Sequence, residues 1–122
     1  MVPAKYQSLA LAIQTTYFDV PYHNQVHAAD VTQNICYMIE SCDCKFLLNM
    51  TPFEVLTTVL SAAAHDLGHP GTNNAFEVKT KTDLAFFYND TSVLENMHAA
   101  YFFSIIKQRQ DCSIFDEFTE ED

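Results

Sequence analysis

The 122-residue sequence has only six lysines and arginines against sixteen aspartates and glutamates, a formal net charge of −10. So small a basic complement argues against wrapping nucleic acid or anionic lipid, because both need a basic face. No run reaches the roughly 18 consecutive apolar residues of a transmembrane segment. The N-terminal MVPAKYQSLALAIQTTYF has no charged stretch ahead of its apolar part and is broken by Gln14, Thr15 and Thr16. It is not read as a signal peptide. Two glycines and four prolines leave few turns, which points to helices. The four cysteines, Cys36, Cys42, Cys44 and Cys112, are too irregularly spaced for a disulfide framework, and Cys42-x-Cys44 lacks the second pair of a zinc knuckle. They read as reduced thiols of an intracellular, cytoplasmic protein. What is present, 48% hydrophobic and 13% aromatic residues, excludes a disordered or fibrous chain. The length admits at most one ordinary domain.

Tyr6, Leu9, Ala10, Ile13 and Tyr17 fall at helical spacing and predict a helix over 4–17. Asp19-Val20-Pro21 closes it, because the residue before proline is pushed out of the α region. A second helix is predicted over 25–41, with Val31, Ile35, Met38 and Cys42 on one face. Residues 42–50 show no clear pattern. Thr51-Pro52-Phe53-Glu54 is a capping box with proline at the first helical position. The helix it opens, FEVLTTVLSAAAHD, is apolar nearly all round, which predicts a central, buried element. Pro70-Gly71 stops it. Short helices are predicted over 73–80 and 83–88. Ser92-Val93-Leu94-Glu95 reads as a second capping box, ahead of an apolar stripe of Leu94, Met97, His98, Tyr101, Phe102, Ile105 and Ile106. The acidic end DEFTEED predicts a frayed terminus. With no alternating pattern, repeat or linker, the expected fold is all-α.

Four of the five histidines form two clusters. His23 and His27 are four residues apart, on one face of a helix or one at its mouth and one inside. Such a pair suits metal ligation, or proton donation beside a metal. It equally suits two ordinary surface or core histidines. His65-Asp66-Leu67-Gly68-His69 lies at the end of the apolar helix. A buried His-Asp pair needs a partner, and a divalent cation is one: imidazole and carboxylate suit zinc, a carboxylate with waters suits magnesium. The other reading is a plain helix C-terminus, where the dipole favours histidine. Ligands offered from two separate segments favour the metal. Asp30, one turn after His27, could orient it or be a surface carboxylate. Asn73 and Asn74 suit capping, and Glu95 closes the second capping box. His98 follows Glu95 by one turn and could face the cluster, although a histidine on an apolar stripe is usually core. The Phe and Tyr residues read as core.

The segments PYHNQVHAADVTQ, AAAHDLGHPGTNN and DLAFFYNDTSVLENMHAA resemble, in order and spacing, three successive blocks of the class I cyclic nucleotide phosphodiesterases, a branch of the HD-type metal hydrolases. The similarity runs from about Tyr17 to Phe118. It implies an all-helical, HD-domain-like bundle with a pocket for two divalent metal ions, Zn2+ at the tighter site and Mg2+ or Mn2+ at the second. By motif position, His27, His65 and Asp66 look like metal ligands, with Asp66 touching both ions. His23 looks like the general acid that protonates the leaving O3′. His69 and Glu95 look like residues that hold water at the metals, and Asn74 like a residue lining the site. The implied reaction is hydrolysis of a 3′,5′-cyclic nucleotide, cyclic AMP, cyclic GMP or both, to the 5′-monophosphate, with signal transduction as the implied role. Two cations can ionise a water near neutral pH and neutralise phosphoryl charge, and an imidazole can protonate the departing alkoxide. The net negative charge is no obstacle, since bound cations reverse the local field. Two positions depart from the family: Gly68, where an acid is common, and Met97, where a histidine is common beside His98.

The family's catalytic domain is much longer than this chain. Its fourth protein ligand, an aspartate on a later helix, and the glutamine and aromatic that bind the purine have no counterpart before Asp122. Asp111, Asp116 and Asp122 do not match the ligand motif. Residues 1–122 are therefore expected to be the N-terminal portion of the catalytic domain, an incomplete bundle whose remainder lies C-terminal to Asp122. The alternative is a truncated, inactive helical module that binds metal or a partner. A different HD-type phosphohydrolase fits less well, given the His23 motif and the YND/SVLEN block. The apolar stripe over 94–106 lacks a full packing partner, so marginal stability or poor solubility is expected.

Overall fold

Side-chain caps set the starts of four helices. In the computed structural model, which describes residues 3–118, the chain runs through α1 (Ala4–Thr16), α2 (Gln25–Ser41), α3 (Cys44–Leu47), α4 (Pro52–Ala64), α5 (Asn74–Thr80), α6 (Asp83–Phe87) and α7 (Val93–Gln108). Two 3-10 turns follow, Gln110–Cys112 and Ile114–Glu117, and no strand occurs among the described residues, so the fold is all-α. Asn24 Oδ1 accepts from the Val26 and His27 amides and opens α2. Thr51 and Glu54 form the expected capping box on α4. Asn73 caps α5 through the Phe76 amide, and Thr82 caps α6 through the Ala85 amide. Each cap takes an amide that the first helical turn cannot satisfy internally. The span of α2 matches expectation, and α1, α5 and α6 each fall one residue short of it. The segment without a sequence pattern holds the single turn α3, entered through Asp43 in the left-handed region.

The core joins Leu9, Ala12 and Ile13 of α1, and Tyr17 just after it, to Ala28, Ala64, Leu67, Ile106, Cys112 and Ile114. Cys112 and Ile114 are fully buried. Lys5 Nζ donates to the Ser113 carbonyl at 3.0 Å, fastening the last turns to the start of α1. The expected fraying from Asp116 onward is corrected to this extent: Asp116 belongs to an anchored 3-10 turn, and residues 119–122 of DEFTEED lie outside the described residues. The four cysteines are free.

Two expectations, the burial of α4 and the cap of α7, are corrected, and α2 shows which of its residues are buried. On α2 the buried residues are Ala28 and Ile39, while Met38 is 50% exposed and Cys42 is exposed. This helix packs chiefly on α4, and small side chains such as Ala28 permit that approach where larger apolar ones do not. Helix α4 is not buried all round: only Ala62 and Ala64 are buried. Its flank beyond α2 borders an open groove of about 380 Å3 lined by Leu60, Ala64, Phe102, Phe103 and Phe115. The second capping box does not form. Ser92 sits at φ 43° and gives no side-chain cap, and Asn74 supplies one from the start of α5.

Along the α7 stripe, Leu94, Met97, His98 and Ile106 are buried. Tyr101 is 39% exposed and lies over Gly68. Gly68 has φ +68°, and a Cβ there would meet the Tyr101 ring at 2.1 Å. Both facts favour glycine at this position.

Candidate functional site

The site forms where the end of α4 meets the first turn of α2 and the start of α7. After Ala64 the chain winds on through a turn in which the His69 amide donates to the Asp66 carbonyl at 3.1 Å. Leu67, fully buried, fixes this turn in the core. Asp66 then lies among imidazoles from three segments. Its Oδ2 is 2.9 Å from His65 Nε2 and 3.5 Å from His27 Nε2, and its Oδ1 is 3.8 Å from His98 Nε2.

Backbone carbonyls assign the protons. His65 Nδ1 donates to the Ala62 carbonyl at 2.9 Å, and His98 Nδ1 donates to the Leu67 carbonyl at 2.7 Å. A carbonyl only accepts, so each neutral ring turns a bare Nε2 lone pair towards the Asp66 carboxylate. Acceptors facing acceptors around the buried Asp66 carboxylate favour a cation between them, with the exposed His65 on the open side. A ligand histidine that gives its other N–H to a carbonyl is the usual arrangement at protein metal centres. Ligand atoms of His27, His65 and Asp66 lie within 4.8 Å of one another and could hold a metal ion; Asp66, His69 and His98 converge equally closely.

His69 is oriented differently. Its Nδ1 accepts from the Gly71 amide at 3.0 Å, so the neutral ring carries its proton on Nε2 and offers a donor instead of a ligand atom. Burial, and then the neighbouring His23 charge, push its pKa below the ordinary imidazole value, against the pull of Asp66. His69 stands between two other rings: His23 stacks on it at 3.9 Å and 11°, and His98 at 5.4 Å and 16°. His23 is half-buried just ahead of α2, 5.9 Å from the His27 ring by centroid.

Asn74 links α5 to α7. Its Oδ1 accepts the Leu94 amide at 2.9 Å, and its Nδ2 donates to both Glu95 oxygens at 3.1 and 3.0 Å. These bonds hold the Glu95 carboxyl below its ordinary pKa. Asn74→Ala is expected to destabilise the chain by about 1 kcal/mol, the worth of a helix cap, as measured by urea unfolding. In the same variant the Glu95 pKa should rise towards the free carboxyl value, followed by NMR titration. The sign follows from linkage: a depressed carboxyl stabilises the fold above its unfolded pKa and loses that effect as pH falls through its folded pKa.

Of the residues singled out in the sequence, His23, His27, His65, Asp66 and His69 come together, and Glu95 borders the groove beside His65 and His98. Asn74 reaches the site through Glu95. Asp30 does not join it: the residue is exposed, and its carbonyl accepts from Asn34. His98, left open between the cluster and the core, faces Asp66 and is buried. One residue was missed. Glu77, only 5% exposed, accepts from Thr82 Oγ1 at 2.6 Å and from Thr72 Oγ1, pinning the turn after His69 to α5 and α6. No motif marks it, because its partners lie five residues away on either side.

A sequence model of the family described as 3'5'-cyclic nucleotide phosphodiesterase matches residues 22–122. The chain belongs to this family. It is 41% identical over 117 residues to the dual specificity calcium/calmodulin-dependent 3',5'-cyclic nucleotide phosphodiesterase 1B of Bos taurus, covering 89% of this chain and 21% of that relative. It is 46% identical over 88 residues to the 3',5'-cyclic-AMP phosphodiesterase 4 of Dictyostelium discoideum, covering 72% of this chain and 8% of that relative. The crystal structure of the phosphodiesterase domain of the RhoPDE fusion protein from the choanoflagellate Salpingoeca rosetta matches with a TM-score of 0.87 at 32% identity, over 97% of this chain and 36% of that one. The phosphodiesterase resemblance carried by the three motif blocks is thus established, and the all-α fold agrees with it. This member of the family spans only a minor part of the relatives it matches. No helix among its described residues is long and apolar enough to cross a membrane.

Proposed function

We propose that the chain is the metal-holding, proton-donating portion of a cyclic nucleotide phosphodiesterase catalytic domain. Within the longer protein it serves the hydrolysis of a 3′,5′-cyclic nucleotide to the 5′-monophosphate, in signal transduction. The observation that carries this reading is Asp66, whose carboxylate faces His65 Nε2 at 2.9 Å although the Ala62 carbonyl already takes the His65 Nδ1 proton. That donor set fits a divalent cation. His27, His65 and Asp66 suit Zn2+, and the other Asp66 oxygen suits Mg2+ or Mn2+. When bound, such ions supply Lewis-acid stabilisation of phosphoryl charge and activation of water.

The chain's own side chains supply the rest. His23 lies outside the ligand sets and is free to protonate the departing O3′. His69 Nε2–H donates to water at the site, and Glu95 accepts from it. Asn74 keeps the Glu95 carboxylate ionised and aimed. The experiment measures metal content and hydrolysis together. Joined to the remainder of a family catalytic domain, which would supply the fourth ligand, the chain is expected to retain zinc through dialysis. The joined protein should hydrolyse cyclic AMP, cyclic GMP or both. Failure to bind zinc overturns the reading. Metal content without hydrolysis in the joined protein selects a non-catalytic module, which the 21% share of the bovine relative keeps in view.

A further inference from the structure

Tyr17 follows α1, a helix that supplies none of the candidate ligands. Its ring is buried in the core, 9% exposed. Its hydroxyl crosses to the end of α4, donating to the Ala63 carbonyl at 2.9 Å and accepting from the Asp66 amide at 3.3 Å. Ala63 is among the last residues of α4, whose carbonyls lack helical donors. The Ala62 carbonyl, one residue earlier, is engaged by His65 Nδ1. The two backbone groups held by Tyr17 thus bracket Ala64 and His65, and the second of them is the amide of Asp66 itself.

We infer that Tyr17 is a positioning residue for the metal-holding turn: its hydroxyl fixes the backbone on both sides of His65, and so the directions in which His65 and Asp66 face His27. The inference rests on reading those three residues as ligands. The physical reason is tolerance. Ligand atoms must be held to about 0.5 Å, and the groups behind them set how well they are held. Of the ring, only the hydroxyl performs this task, while its carbon atoms pack in the core with Leu9, Ile13 and Ala28.

The test titrates Co2+, whose visible absorption reports ligand number and geometry, into the 122-residue chain, Tyr17→Phe and Ile13→Val. Ile13 lies in the same core cluster and outside the site. If the unaltered chain does not bind Co2+, the ligand reading falls and the inference with it. If it binds, Tyr17→Phe is expected to bind about tenfold or more weakly with an altered absorption band. Ile13→Val is expected to lower the thermal midpoint of the metal-free chain to a similar extent and to keep full affinity. Undiminished affinity in Tyr17→Phe, or equal losses in both variants, overturns the positioning role and leaves the ligand reading standing. A measurement without any variant stands beside these, should Tyr17→Phe not fold. The Asp66 amide of the unaltered chain is expected to exchange slowly with solvent, and exchange at the unprotected rate overturns the inference.

Discussion

Asp66→Ala is expected to abolish metal loading, with a loss of affinity greater than about 100-fold, the upper range for residues that only support a ligand. Both carboxylate oxygens are engaged, Oδ2 with His65 and His27 and Oδ1 with His98, so one substitution removes the anion on which three imidazoles converge. Zinc content after dialysis measures the effect, and retained zinc would sink the ligand assignment. Stability separates this reading from its plainest rival, an ion-paired aspartate with no metal. Breaking a buried ion pair by removing one partner costs about 3–5 kcal/mol. Removing a carboxylate that faces bare imidazole nitrogens relieves a repulsion instead. At pH 8, above the ordinary imidazole range, metal-free Asp66→Ala is therefore expected to be as stable as the metal-free parent, or more so. Urea unfolding of the two decides.

The sequence reading went furthest where a local rule decides the outcome. Asn24 opens α2 because its own side chain takes the Val26 and His27 amides. Thr51 and Glu54 open α4 in the same way. The histidine clusters were legible for a different reason: two short motifs from separate segments offered ligand atoms that had nowhere else to go. What was misread or left open shares a physical cause. Ser92-x-x-Glu95 has the letters of a capping box, but Ser92 is in the left-handed region, and Asn74, twenty residues before Leu94, takes the amide. Met38 is apolar enough for a core, yet Ala28 and Ile39 are the residues buried on α2, because the fit to α4 sets the face. Helix α4 is apolar all round, but burial depends on what covers it, and one flank borders the groove beside α7. His98 stayed open between core and cluster because Asp66 and Leu67, which it faces, lie some thirty residues away. Tyr17 passed as one more apolar position of a helix. Its hydroxyl gains meaning only once α1 and the end of α4 are side by side.

His23→Ala, made in the chain joined to the rest of a catalytic domain, is expected to lower kcat on a cyclic nucleotide by about 100- to 10,000-fold and to leave metal content unchanged. The second half of that expectation comes from geometry. His23 belongs to neither set of converging ligand atoms, and it touches the cluster by stacking its ring on His69 at 3.9 Å. The first half comes from the leaving group. Opening the cyclic phosphate at O3′ leaves an alkoxide, a far stronger base than any group near it, so without a proton in the transition state the barrier rises. A phosphodiester with a p-nitrophenyl leaving group needs no such proton. His23→Ala should therefore hydrolyse bis(p-nitrophenyl) phosphate at close to the parent rate, while Asp66→Ala loses both substrates together. Equal slowing of both substrates by His23→Ala would show that the ring acts by holding His69 in place, and loss of metal in that variant would make His23 a ligand. Only a selective loss with the poor leaving group assigns the proton to His23.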